Sequence, residues 1–140
     1  MEKLRVLLVD DEEELLSVFR RVLVRRGMDV VGEAVNGAEA LEVSRHVTAD
    51  VILTDHKMPM MDGIEFARAI TARGDAPIII VLSAYADPSL LEEGKEAGVS
   101  AWLQKGLRPR DLCEQIYQIA GREAGDEETG EAVGATSQST

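Results

Sequence analysis

Cysteine is all but missing from this chain. A single one, Cys113, occurs among 140 residues, so no internal disulfide can form and a disulfide-built secreted scaffold is excluded. Cys113 falls within a helical pattern and is expected to be a reduced, packed thiol. Aromatic residues are scarce too, 4% against 45% hydrophobic, which leaves Val, Leu, Ile and Ala to build the core. No apolar run approaches the roughly 18 residues that a membrane helix needs. Residues 1–3 lead straight into a strand pattern without signal-peptide character, and a cytoplasmic location is expected. Positive charge is in short supply: 15 Lys and Arg face 26 Asp and Glu, a net −11. A surface this acidic repels phosphate backbones and anionic lipid, so neither nucleic acid nor membrane is expected as a direct partner. The length suits one domain with a substantial core.

What is present is an alternation of patterns. Residues 4–9 form an aliphatic run broken only by Arg5, which predicts a buried strand, and they end in Asp10-Asp11-Glu12-Glu13-Glu14. Acids in a first helical turn suit the macrodipole, but Asp10 and Asp11 precede the turn. The helix that follows spaces Leu15, Val18, Phe19, Val22 and Leu23 on one face and closes on Arg25-Arg26-Gly27. Residues 29–35 predict a more polar strand near an edge. Asn36-Gly37-Ala38-Glu39 predicts a capping-box helix through about Val47. A third helix over 63–73 should bury Ile64, Ala67 and Ile70 and stop at Gly74. Residues 77–83 are the most hydrophobic strand and the best candidate for a central position. Asp87-Pro88 opens a fourth helix that contains Gly94 and offers little apolar area beyond Leu90, Leu91 and Ala97, so it should be the least stable. Residues 100–103 read as a short fifth strand, and Pro109 opens a last helix facing in through Leu112, Ile116 and Ile119. The expected domain is 1–121. Residues 122–140, with one Arg against four Glu and one Asp, predict a disordered acidic tail.

The stretch that organises the rest is Val51 to Gly63. Val51-Ile52-Leu53-Thr54 reads as a dry strand, and Asp55 follows at its end. Met58-Pro59 prevents continuation, and Asp62-Gly63-Ile64-Glu65 reads as a capped helix start. A carboxylate at a strand tip is either a cap or a reactive group, and on this stretch alone the two readings stand even.

Five strands alternating with five helices imply a doubly wound α/β fold with a parallel sheet and helices on both faces. Asp10 and Asp11, Asp55, Ser83 and Lys105 all fall at C-terminal strand ends, which share one edge where ligands bind. Convergence favours the reactive reading. Three carboxylates at one spot need a cation, and hard oxygen ligands select Mg²⁺, with Mn²⁺ as a substitute. A lysine and a hydroxyl suit the equatorial oxygens of a transferred phosphoryl group. Asp55, the isolated carboxylate, is the expected nucleophile, and the adjacent Asp10 and Asp11 are the better metal pair.

Over residues 4–120 the chain resembles the response-regulator receiver domains of two-component signalling, of the single-domain, chemotaxis-regulator type. The Asp10-Asp11 pair, the stretch Asp55, Met58-Pro59 and Asp62-Gly63, then Ser83-Ala84 and Lys105 carry the resemblance in order. It implies a flavodoxin-like sheet of order 2-1-3-4-5 and a regulatory phosphoacceptor, not an enzyme. Asp55 would take a phosphoryl group from a histidine kinase or histidine phosphotransfer protein. Asp11 would bind Mg²⁺ directly and Asp10 mainly through water, with a further oxygen from the Lys57 backbone carbonyl. Ser83 would hydrogen-bond the phosphoryl group and Lys105 would pair with it. Trp102 stands where the family usually carries a rotating Tyr or Phe, which turns inward as Ser83 moves. Lys57 and Tyr85 would tune dephosphorylation. The fourth helix, fifth strand and fifth helix would form the output surface toward a downstream protein, in a monomer or weak dimer. Gly106 replaces the usual proline after the lysine, so the Lys105–Gly106 peptide is expected to be trans.

Other readings are weaker. A flavodoxin-type cofactor binder should offer glycines and hydroxyls in its first loop, where Asp-Asp-Glu-Glu-Glu would repel a phosphate. An aspartate-nucleophile phosphohydrolase would carry Asp-x-Asp after the first strand. A phosphorylation-independent interaction module, or the N-terminal part of a longer regulator with an effector domain, would keep the same fold. His46 and His56 are expected at the surface, since two histidines so placed make no metal set. Met58, Met60 and Met61 are expected to pack within their loop.

Overall fold

The computed structural model describes residues 2–75 and 77–124. The expected acidic tail lies outside the described residues from position 125 onward. The elements alternate throughout: β1 (Arg5–Val9), α1 (Glu13–Arg25), β2 (Asp29–Ala34), α2 (Gly37–Val43), β3 (Val51–Asp55), α3 (Gly63–Ala72), β4 (Ile78–Ser83), α4 (Pro88–Ala97), β5 (Ala101–Gln104) and α5 (Pro109–Ala120). The five strands form one parallel sheet in the order β2-β1-β3-β4-β5. β4 is an interior strand covered on both faces, as its sequence predicts, and β3 beside it is the middle strand and the one buried along its whole length. Its shorter run made it the less conspicuous of the two in sequence.

Strand alternation divides the core into two layers. Val6 and Leu8, Val51 and Leu53, and Ile80 and Leu82 face α1 and α5, where Leu16, Leu23, Leu112, Cys113, Ile116 and Tyr117 complete one cluster. Leu7 and Val9, Ile52, and Ile79 and Val81 face the other way, onto Ala40, Ile64, Phe66, Ala67, Ile70 and Ala97. Phe66 is wholly buried although its helix was expected to face inward only through Ile64, Ala67 and Ile70. Burying such a ring contributes about 1.5–3 kcal/mol.

Local chemistry sets the element ends. At α3, Asp62 accepts from the Glu65 N–H while Glu65 accepts from the Asp62 N–H, a complete capping box. At α2, Asn36 caps the Glu39 N–H, but the Glu39 carboxylate reaches one residue further back, to the Val35 N–H. That helix stops at Val43, short of the expected Val47, as the chain turns through the His46 N–H to the Val43 carbonyl. Asp87 caps α4 and Pro88 opens it. Arg5, the one break in the first aliphatic run, pairs bidentately with Asp50 and ties the start of β1 to the loop before β3. The guanidinium holds the Asp50 carboxyl below its usual range. No described peptide bond is cis, so Lys105–Gly106 is trans.

Candidate functional site

The sheet register builds the site. Val9 stands opposite Thr54, so Asp10 and Asp55 emerge side by side one residue later. Hydrogen bonding continues past the strand ends: the Asp10 N–H donates to Ala34, the His56 N–H to Leu82 and the Lys105 N–H to Ser83. The same alternation that points Leu8, Leu53 and Leu103 toward α1 and α5 carries on to Asp10, Asp55 and Lys105. These three consequently share one face at the C-terminal edge.

Their geometry is tight. One carboxylate oxygen from each of Asp10, Asp11 and Asp55 lies within 4.8 Å of the others. Lys105 Nζ sits 2.9 Å from Asp55 Oδ2, with Asp10 Oδ2 at 3.9 Å and Glu12 Oε1 at 3.8 Å. Asp10 and Asp55 are almost wholly buried, whereas Asp11 is exposed. Asp10 Oδ1 accepts from the Glu12 N–H, but its Oδ2 has no hydrogen-bond partner among the described residues. Burial pushes the Asp10 carboxyl up to about 6; the Glu12 N–H and Lys105 oppose the rise, and the Asp55 charge adds to it. Burial alone would lower the Lys105 ammonium, but its bond to Asp55 and the surrounding carboxylates outweigh this and raise it.

A buried carboxylate oxygen with no hydrogen-bond donor, beside two more acids, makes an oxygen-rich pocket that suits a hard divalent cation, and Asp10, Asp11 and Asp55 fit one. Lys57 is exposed at the start of the following loop, two residues past Asp55. That loop is held in place by the Gly63 N–H bonded to the His56 carbonyl at 2.8 Å.

Ser83 ends β4 as expected, but its side chain follows the opposite alternation. Its hydroxyl donates to the Tyr85 carbonyl at 2.6 Å and accepts from the Tyr85 N–H at 3.2 Å. Tyr85 itself is 76% exposed. Ser83, Tyr85, Trp102 and Gln104 line a cavity of about 290 Å³ on the α4 and β5 side. A larger cavity of about 580 Å³ opens among Leu4, Val47, Asp50, Ile78 and Arg122 and includes none of the acidic trio.

Two expectations about side chains fail here, and a third gains a further reason. His56 is not at the surface: it is buried, with its ring edge-on to Trp102 at 5.4 Å between centroids. The alternation could have revealed this, since His56 continues the face of Ile52 and Thr54 into the second core layer. Met60 does not pack within its loop; it is 86% exposed and adopts φ 70°, while Met58 is buried and Met61 packs beside Gly37. Gly94 is more than a weak point in α4, because the Trp102 indole lies in the space its missing Cβ leaves. His46 is exposed and pairs with Glu42, as a surface residue should.

A doubly wound parallel sheet with a buried carboxylate cluster and a paired lysine at its C-terminal edge defines a class of acid-pocket α/β proteins. Residues 6–117 match the model of the response regulator receiver domain. The chain belongs to this family, and so to the regulatory proteins of two-component signalling. It is 37% identical over 118 residues to the transcriptional regulatory protein PdtaR of Mycobacterium tuberculosis, a match covering 84% of this chain and 57% of PdtaR. The chain thus spans little more than half the length of that relative. It is 30% identical over 116 residues to the chemotaxis protein CheY of Thermotoga maritima, covering 83% of this chain and 97% of CheY. Among solved structures, a two-component response regulator of the LuxR family from Aurantimonas superposes with a TM-score of 0.79 at 32% identity, over 86% of this chain and 88% of that one.

Proposed function

We propose that this receiver accepts a phosphoryl group on Asp55 from a phosphohistidine of a kinase or phosphotransfer protein, and that the modified state controls a downstream protein. The observation that carries the reading is Lys105 Nζ at 2.9 Å from Asp55 in a pocket with two further carboxylates. An Asp55 oxygen attacks phosphorus in line, the phosphorus–nitrogen bond of the donor breaks, and an acyl phosphate results. Lys105, already paired with the nucleophile, remains beside the transferred group as a counter-charge. Ser83 must release the Tyr85 carbonyl before its hydroxyl can donate to a phosphoryl oxygen. Asp10, Asp11, Asp55 and the Lys57 carbonyl would hold Mg²⁺, which neutralises charge developing on the transferred oxygens. Lys57 and Tyr85, both exposed at the rim, would set how readily water reaches the acyl phosphate. The receiver spans residues 1–121 in this reading and works in the cytoplasm.

The test is incubation with acetyl phosphate, with and without Mg²⁺, followed by intact mass measurement. A single phosphoryl addition that requires the metal and disappears in Asp55→Ala is expected. Labelling of Asp55→Ala, or labelling indifferent to metal, overturns the assignment. An unlabelled wild-type protein would favour the phosphorylation-independent interaction module.

A further inference from the structure

Trp102 and His56 belong to the face opposite the acidic trio, and their arrangement is unusual in what surrounds it. The indole lies so close to α4 that a Cβ built on Gly94 would stand 2.7 Å from Cζ2 and 2.9 Å from Nε1. Contacts that short force a neighbour to move, and here the neighbour is a ring, not a flexible chain end. The indole also meets the His56 imidazole at 5.4 Å and 66°, an edge-to-face geometry. Both Trp102 Nε1 and His56 Nδ1 are buried and lack a hydrogen-bond partner among the described residues. The ring is thus held by shape rather than by hydrogen bonds. It is held while the Ser83 hydroxyl is engaged with the Tyr85 backbone.

We propose that Gly94 and His56 are positioning residues that seat Trp102 inside before Asp55 is modified. The indole is then a fixed strut between the tip of β3 and α4, not a ring whose inward turn waits for Ser83. His56 directly follows Asp55 in the chain, so a displacement at the tip of β3 reaches α4 through two packed rings. Gly94 is what makes the seat: any side chain there would occupy the indole's place. Signalling to α4 by this route leaves the position of residue 102 unchanged and moves the helix against it.

Two measurements test the proposal. The first uses thermal unfolding of four proteins: wild type, Gly94→Ala, Trp102→Ala and the double variant. With the indole present, Gly94→Ala should lower Tm; with it removed, the same substitution should raise Tm, because alanine favours helix over glycine. This reversal of sign would not arise from a glycine needed only for the helix itself. An equal loss in both backgrounds overturns the proposal.

The second measurement uses the protein's only tryptophan. In the metal-free wild type, emission should be blue-shifted and poorly quenched by acrylamide. Adding beryllofluoride with Mg²⁺ should leave quenching unchanged while fluorine NMR reports occupancy of Asp55. His56→Ala should red-shift the emission and raise quenching without abolishing that occupancy. An indole freely quenched before beryllofluoride and protected after it overturns the strut. Absence of the bound fluorine signal would count against Asp55 as acceptor, while the four-protein comparison would still decide the seat of the ring.

Discussion

Replacing Asp10 by asparagine in metal-free protein separates the charge of this residue from its shape. In the folded chain its carboxyl titrates at about 6, against 3.8 for the unperturbed group. Between these values the native state keeps a proton that the unfolded chain has released. Stability is therefore highest below the unfolded value and declines as pH rises through the window toward and past 6. The difference between 3.8 and about 6 corresponds to about 3 kcal/mol lost by neutral pH. Burial is the largest cause, with the neighbouring Asp55 charge adding to it. Asparagine retains an Oδ1 acceptor for the Glu12 N–H, but its amide N–H₂ inherits the unpartnered position of Oδ2. An unsatisfied donor costs about 1–3 kcal/mol, so the net gain at pH 7.5 should be about 0–2 kcal/mol. Near pH 4, where the wild-type carboxyl is also neutral, only the donor cost remains, and the variant should be the less stable protein by about 1–3 kcal/mol. Urea denaturation in EDTA between pH 4.5 and 8 measures the difference between the two proteins and cancels groups that titrate alike in both. Parallel stability curves, or a variant less stable at pH 7.5, would refute the reasoning. Restoring Mg²⁺ should stabilise the wild type more than Asp10→Asn; equal gains would remove Asp10 from the metal site.

Met60→Asn should stabilise the fold by about 0.5–1 kcal/mol in chemical denaturation, because asparagine tolerates the left-handed backbone and an 86% exposed methionine has little burial to lose. A loss of stability would mean that the methionine side chain has a role in the folded protein. Cys113, fully buried and with its thiol pushed up to about 11 by that burial, should not react with a thiol reagent at pH 8 until the protein unfolds. Rapid labelling of the native protein would contradict the packing of α5. Replacing Lys57 and Tyr85 together by small residues should speed decay of the acyl phosphate, followed by phosphate release; unchanged decay would exclude them from controlling water access.

Much of the fold was legible because it rests on local rules. Strands β3 and β4 are almost uninterrupted aliphatic runs and β1 is broken only by Arg5, while the N-termini of α2, α3 and α4 carry side-chain caps that can be read three residues at a time. The converging acids and Lys105 were legible for a related reason, since in a parallel sheet every strand ends at the same edge. Which face a residue takes beyond that edge requires counting alternation out of the strand. The polarity of His56 suggests water, while its parity places it on the buried face with Trp102. Gly94 was read as a defect in helix propensity, since nothing local indicates that a ring from β5 occupies the missing side chain's volume. Strict helical spacing points inward only from Ile64, Ala67 and Ile70, whereas α3 is covered broadly enough to bury Phe66 as well. The left-handed Met60 has no sequence signal at all, since methionine rarely adopts that conformation.

Lys105 reaches its carboxylate partners from the residue just past the last strand. During synthesis the ribosome delivers Asp10 and Asp11 first, Asp55 midway, and the balancing ammonium only after β5 has emerged. A chain released before β5 is made contains all three acids and lacks the cation that pairs with them. The charge balance of the pocket is thus a property of the whole sheet, and it is complete only when the last strand has added Lys105 beside Asp55.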